Sequence, residues 1–79
     1  MSDSIKTIAI LGGTGDLGGG LARQWSRAGY TIVIGSRTLE KGQEAAAALL
    51  AEFSDLNVTG LDNPSAAEQA DLVVLTVPF

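Results

Sequence analysis

Apolar positions in this chain fall into short β-branched runs separated by stretches of helical spacing. Ile5, Ile8, Ala9, Ile10 and Leu11 form a nearly continuous run, as in a parallel strand covered on both faces. Leu17, Leu21, Ala22, Trp25 and Ala28 then line one face of a helix, and Gly29 follows where a left-handed residue closes it. Trp25 sits in that register and reads as a core residue rather than a stacking platform. Tyr30 to Ile34 is a second strand, ending in Gly35-Ser36-Arg37. Thr38 is placed to cap a second helix with the apolar face Leu39, Ala46, Leu49, Leu50 and Phe53, and the alanines at 45–48 add helix propensity. Leu56 to Gly60 reads as a short strand. Asn63 as N-cap with Pro64 in the first position opens a brief helix to about Ala70. Leu72 to Val77 reads as a buried strand that Pro78 stops.

The resulting order is β-α-β-α-β-α-β with short connections and no linker or internal repeat. Right-handed crossovers place such strands in a parallel sheet of order 3-2-1-4, the first half of a doubly wound, Rossmann-type α/β fold. A full fold of this kind continues past a fourth strand. Residues 1–79 are therefore expected to be the dinucleotide-binding domain of a longer chain.

Glycine is concentrated between Gly12 and Gly20, at the junction of the first strand and the first helix. Gly13, Gly15 and Gly18 spell G-x-G-x-x-G. In that fingerprint the first glycine permits a tight turn, the second lets the backbone approach a pyrophosphate, and the third lets helix pack close to strand. The phosphates then meet the N–H groups and positive dipole end of the helix. Thr14 and Leu17 lie within the loop, and Asp16 is either a first-turn acidic residue favoured by the dipole or a group that fixes the loop or a ribose. Val77 and Pro78, at the end of the fourth strand, are placed to line the nicotinamide ribose, or are simply a strand end and its stop.

The end of the second strand selects the dinucleotide. NAD sites usually carry a carboxylate there for the ribose hydroxyls, whereas this chain has Ser36 and Arg37. A hydroxyl and a guanidinium suit a 2′-phosphate, and Lys41, one helical turn on, adds a second cation. The residues thus point to NADP, the bland alternative being a solvated Arg and Lys pair at a helix start, where the dipole disfavours cations.

Composition narrows the partners. Hydrophobic residues make up 46% of the chain against 18% charged, which supports a packed interior. A formal net charge of −4 with no histidine argues against nucleic acid and an anionic membrane surface. Lack of cysteine excludes disulfides, thiolate metal sites and a cysteine nucleophile. The opening residues have no signal-peptide core and no apolar run reaches membrane-spanning length, so a cytoplasmic location is expected. No catalytic triad or metal cluster is recognisable, and hydride transfer needs neither, because the cofactor carries the chemistry.

Taken together, Ile10-Leu11-Gly12-Gly13-Thr14-Gly15-Asp16-Leu17-Gly18, Val33-Ile34-Gly35-Ser36-Arg37 with Lys41, and Val74-Leu75-Thr76-Val77-Pro78 resemble the NADPH-dependent reductases of coenzyme F420, a deazaflavin. The N-terminal domain of pyrroline-5-carboxylate reductases and the cytosolic domain of certain membrane ferric reductases look similar. The resemblance implies a cytoplasmic oxidoreductase passing hydride between NADP and coenzyme F420. Thr14, Gly15, Asp16 and Leu17 would hold the pyrophosphate side, Ser36, Arg37 and Lys41 the 2′-phosphate, and Val77 and Pro78 the nicotinamide side. It further implies a C-terminal part that completes the deazaflavin pocket and a homodimer, so that residues 1–79 alone would bind NADP without turnover. A non-catalytic nucleotide-binding module is the contrasting expectation.

Overall fold

In the computed structural model, residues 5–12 and 16–76 are described, with the backbone alone for 16–18. Strands and helices alternate in the order β1 (Thr7–Leu11), α1 (Asp16–Arg27), β2 (Thr31–Ser36), α2 (Leu39–Glu52), β3 (Val58–Asp62), α3 (Asn63–Gln69) and β4 (Leu72–Leu75). The strands form one parallel sheet ordered β3-β2-β1-β4. This is the doubly wound α/β arrangement expected from the sequence.

Strand periodicity sorts the core into two layers. Ile8, Ile10, Ile32, Ile34 and Val58 point to one face, where they pack with Ala22 of α1, Ala46 of α2 and Leu56. Trp25 packs against this cluster, in the core role read from its register. Ala9 and Val33 point to the other face and meet Ala66 of α3. Ile10, Ile32 and Ile34 are fully buried, each contributing roughly 1.5–3 kcal/mol relative to exposure. Small residues at 9 and 66 let α3 sit close over the sheet centre.

Local signals explain most boundaries. Gly29 has a φ of 108°, the left-handed conformation that ends α1. The Thr38 hydroxyl accepts from the Lys41 N–H at 3.1 Å and caps α2. At the N-terminal edge of the sheet, the Asp71 carboxylate accepts from the N–H groups of Lys6 and Thr7 at 2.9 and 3.0 Å. These bonds hold its carboxyl below the usual range, the Lys6 N–H having the larger effect. Nearby, the Asn57 N–H donates to the Ser26 hydroxyl at 2.7 Å, fastening the approach to β3 onto α1.

Five expectations shift. β2 runs on through Ser36, so that residue is the last of a strand and not the start of a loop. β3 starts at Val58, two residues after Leu56, which is buried as a plug ahead of the strand. Asp62, not Asn63, caps α3, accepting from the Ser65 N–H at 2.8 Å, and Asn63 becomes the first helical residue. Leu39 is exposed at the start of α2 instead of lying on its buried face. β4 also differs from a buried strand: Leu72, Val73 and Leu75 are exposed, because among the described residues β4 pairs only with β1 and α3 lies over β1 and β2.

Candidate functional site

All four strands point their carboxyl ends to one edge. Leu11 is level with Gly35 on one side and Leu75 on the other, and Ser36 is level with Asp62. Chain connections leave this edge in opposite directions on either side of β1: α1 and α2 cover one face, α3 the other. A crevice outside the ends of β1 and β4 is the usual ligand position in such sheets.

Gly12 turns the chain out of β1 with a φ of 72°, a conformation that L side chains rarely adopt. Its N–H donates to the carbonyl of Gly35 at 3.0 Å. The turn is thereby tied to the strand that carries Ser36. Asp16, Leu17 and Gly18 are the first residues of α1, so the open N–H groups of that helix begin at this edge. Gly13, Thr14 and Gly15 lie outside the described residues, as do Val77 and Pro78. Thr76, just before them, is described; its N–H and its hydroxyl both donate to the Leu11 carbonyl at 3.1 Å, locking the end of β4 to β1.

At the end of β2, Ser36 is 7% exposed, and Arg37 follows it into solvent. Lys41 is also exposed, on the first turn of α2. That turn is stiff, since the Thr38 hydroxyl accepts from Lys41 and the Thr38 carbonyl accepts from the Gly42 N–H at 3.1 Å. Among the described residues neither Arg37 nor Lys41 forms an ion pair; the ion pair present joins Arg27 and Asp55 at the opposite end of the sheet. Two cations with no ion pair among the described residues thus stand at the N-terminus of α2, where the helix dipole disfavours them and Glu40 in the first turn offsets them in part. An anion bound between them relieves that opposition.

The carboxylate nearest in register is Asp62, level with Ser36 on β3. It is engaged elsewhere: hydrogen bonds from the Ser65 hydroxyl and then the Ser65 N–H hold its carboxyl below the usual range. One polar atom at this edge was not legible in the sequence. Asn63 Oδ1 is buried with no hydrogen-bond partner among the described residues, and a Cβ built on Gly35 would lie 2.8 Å from it. Nothing in the local sequence distinguishes this asparagine from a capping residue. No group of three histidine, cysteine, aspartate or glutamate side chains suited to a metal occurs among the described residues. No described helix is long and apolar enough to cross a membrane.

The chain is 50% identical over 77 residues to the F420-dependent NADP reductase of Methanothermobacter thermautotrophicus, covering 95% of this chain and 33% of that protein. It is 52% identical over 74 residues to the F420-dependent NADP reductase of Methanothermobacter marburgensis, covering 91% of this chain and 33% of that one. With the protein of the same name from Methanocaldococcus jannaschii it is 43% identical over 76 residues, covering 91% and 34%. The chain thus spans about a third of the length of the curated relatives it matches. Residues 7–79 match the family described as NADP oxidoreductase, coenzyme F420-dependent, and the chain belongs to that family.

Proposed function

We propose that residues 1–79 are the NADP-binding part of an oxidoreductase that transfers hydride between NADPH and coenzyme F420. The observation that carries the reading is the end of β2, where buried Ser36 is followed by exposed Arg37, with Lys41 on the adjoining helical turn and no carboxylate in the strand-end position. The donor set fits a 2′-phosphate: a hydroxyl, a planar guanidinium and an ammonium, all acting as donors. The names of the relatives support the choice of coenzyme F420 as the second substrate.

In this reading Arg37 and Lys41 grip the 2′-phosphate and Ser36 donates its hydroxyl to it. Gly12 turns the chain so that Gly13, Thr14, Gly15, Asp16, Leu17 and Gly18 bring backbone N–H groups to the pyrophosphate. Val77 and Pro78 line the nicotinamide side. The nicotinamide supplies a hydride donor or acceptor when bound, and this part of the chain orients it without an acid or base of its own. The net charge of −4 supports small-molecule partners rather than nucleic acid. A cytoplasmic location and a homodimeric full-length protein rest on the resemblance, as does the expectation that residues 1–79 alone bind NADP without turnover.

The test uses the full-length protein. NADPH oxidation followed at the deazaflavin absorbance is expected to bleach coenzyme F420, and no bleaching would reject it in favour of an imine such as pyrroline-5-carboxylate or a non-catalytic module. Titration with NADPH and NADH is expected to show a clear preference for NADPH. Equal affinities would overturn the phosphate assignment.

A further inference from the structure

Gly42 on α2 and Gly60 on β3 face each other with no side chain between them. A Cβ on Gly42 would fall on the carbonyl of Leu61 and lie 2.9 Å from the Leu61 nitrogen. A Cβ on Gly60 would fall on the carbonyl of Gly42 and lie 2.6 Å from the Gln43 nitrogen. Helix backbone therefore rests directly on strand backbone. The close approach occurs at one place, the first turn of α2, while Ala46 seats the next turn through its side chain and Leu49 lies beyond it.

This contact is tied to the candidate phosphate site from both sides. On the strand side, Gly60 is level with Ile34 of β2, two residues before Ser36, and Leu61 is level with Gly35. On the helix side, Gly42 is next to Lys41 and donates its N–H to the Thr38 carbonyl, in the same turn that the Thr38 hydroxyl closes. The offset between Arg37, which leaves the strand, and Lys41, which rides on the helix, is therefore set by how deeply α2 sits on β3. Two charged groups converging on one phosphate need that offset held closely, because charge-assisted hydrogen bonds are short and directional.

We infer that Gly42 and Gly60 are positioning residues for recognition of the 2′-phosphate. They touch no cofactor; they set the depth at which the Thr38–Lys41 turn docks beside Ser36 and Arg37. A methyl group on either lifts that turn off the sheet until ordinary contact distances, 3.4 Å or more, are restored. Arg37 stays with the strand, and Lys41 moves away from it.

The inference rests on the NADP reading, and the experiment separates the two. In the full-length protein, Gly60→Ala and Gly42→Ala are compared with wild type for the KM of NADPH, the KM of NADH, kcat and Tm. The expected result is a rise in the NADPH KM of about tenfold or more, with the NADH KM and the kcat at saturating NADPH within about twofold. A purely structural role lowers Tm and moves both cofactors together, which would overturn the inference. So would a folded variant that keeps the wild-type NADPH to NADH ratio, while the NADP reading would still stand on the wild-type preference. A wild type without preference for NADPH overturns both. If Gly60→Ala fails to fold, Gly42→Ala decides, and failure of both to fold overturns the inference in favour of a folding role.

Discussion

The N–H of Gly12 donates to the carbonyl of Gly35 at 3.0 Å, so the residue that opens the glycine turn is fastened to the one that precedes Ser36. Gly35 is crowded on its side-chain face as well. A Cβ there would lie 2.6 Å from Leu11 Cδ2, 2.8 Å from Asn63 Oδ1 and 3.1 Å from Ala66 Cβ. Leu11 can swing its methyl group aside, but Ala66 is anchored in α3. Gly35→Ala is expected to destabilise the fold by about 1–3 kcal/mol, the usual cost of overpacking. Gly20→Ala meets nothing within 4 Å in the interior of α1 and is expected to stabilise by about 0.5–1 kcal/mol. Denaturant midpoints of the two variants check the opposite signs.

Arg37 lies in solvent beyond a buried strand end, so removing its side chain leaves no cavity. Arg37→Ala is expected to leave Tm nearly unchanged and to weaken NADPH by about 1.5–3 kcal/mol, the range for hydrogen bonds to charged groups, with NADH affinity almost unaffected. Lys41→Ala is expected to act in the same direction and less strongly, since an ammonium offers a single point of charge where a guanidinium offers a fork. Fluorescence titration of both nucleotides against the full-length variants provides the measurement.

How much of this was readable in advance follows from the range of each interaction. The strand order and the edge that carries Ser36 and Arg37 were legible, because β1 and β2 are central strands whose β-branched runs need no knowledge of distant residues. The Thr38 cap was legible for the same reason, its bond reaching only to Lys41. The one-residue slip at Asp62 and Asn63 arose because both residue types cap helices and either is compatible with a proline close behind. Gly60 looked like the end of a strand, and only the approach of Gly42 reveals why a glycine stands inside β3. β4 is as apolar as β1, but an apolar run does not say whether a neighbour covers it. The strand-to-helix junction was legible to the extent that β1 ends at Leu11 and α1 starts at Asp16, while Gly13, Thr14, Gly15, Val77 and Pro78 fall outside the described residues.

Asp71 gives the fold a defined acid response. Its carboxylate accepts from Lys6 and Thr7 and titrates below its ordinary value of 3.8 in the folded state. A carboxyl depressed on folding contributes stability above its unfolded pKa, and that contribution fades as pH falls through the folded one. Asp62, depressed by Ser65, responds in the same direction. Stability is therefore expected to be flat with respect to these groups near neutrality and to decline from about pH 4 downward. Asp71→Asn is expected to lower stability at pH 7 and to flatten the acid limb, as seen in urea midpoints measured between pH 3 and pH 7. An unchanged acid slope in that variant would assign the response to other carboxylates.

β4 carries the last prediction. Leu75 is 67% exposed, and Leu72 and Val73 are exposed at 41% and 42%, on a strand whose pairing among the described residues is with β1 alone. Val73 and Leu75 are level with Ala9 and Leu11 and so share the face on which α3 sits, but α3 covers β1 and β2. An apolar strand with an open edge recruits another strand or sheet. Residues 1–79 prepared alone are expected to self-associate as concentration rises, and Leu75→Lys is expected to reduce that association in sedimentation experiments. If the C-terminal part implied by the resemblance packs on this face, the same substitution in the full-length protein is expected to cost roughly 2 kcal/mol or more, because a charge would enter a covered apolar surface. Tolerance of Leu75→Lys in the full-length protein would show instead that this face of β4 stays open to solvent there.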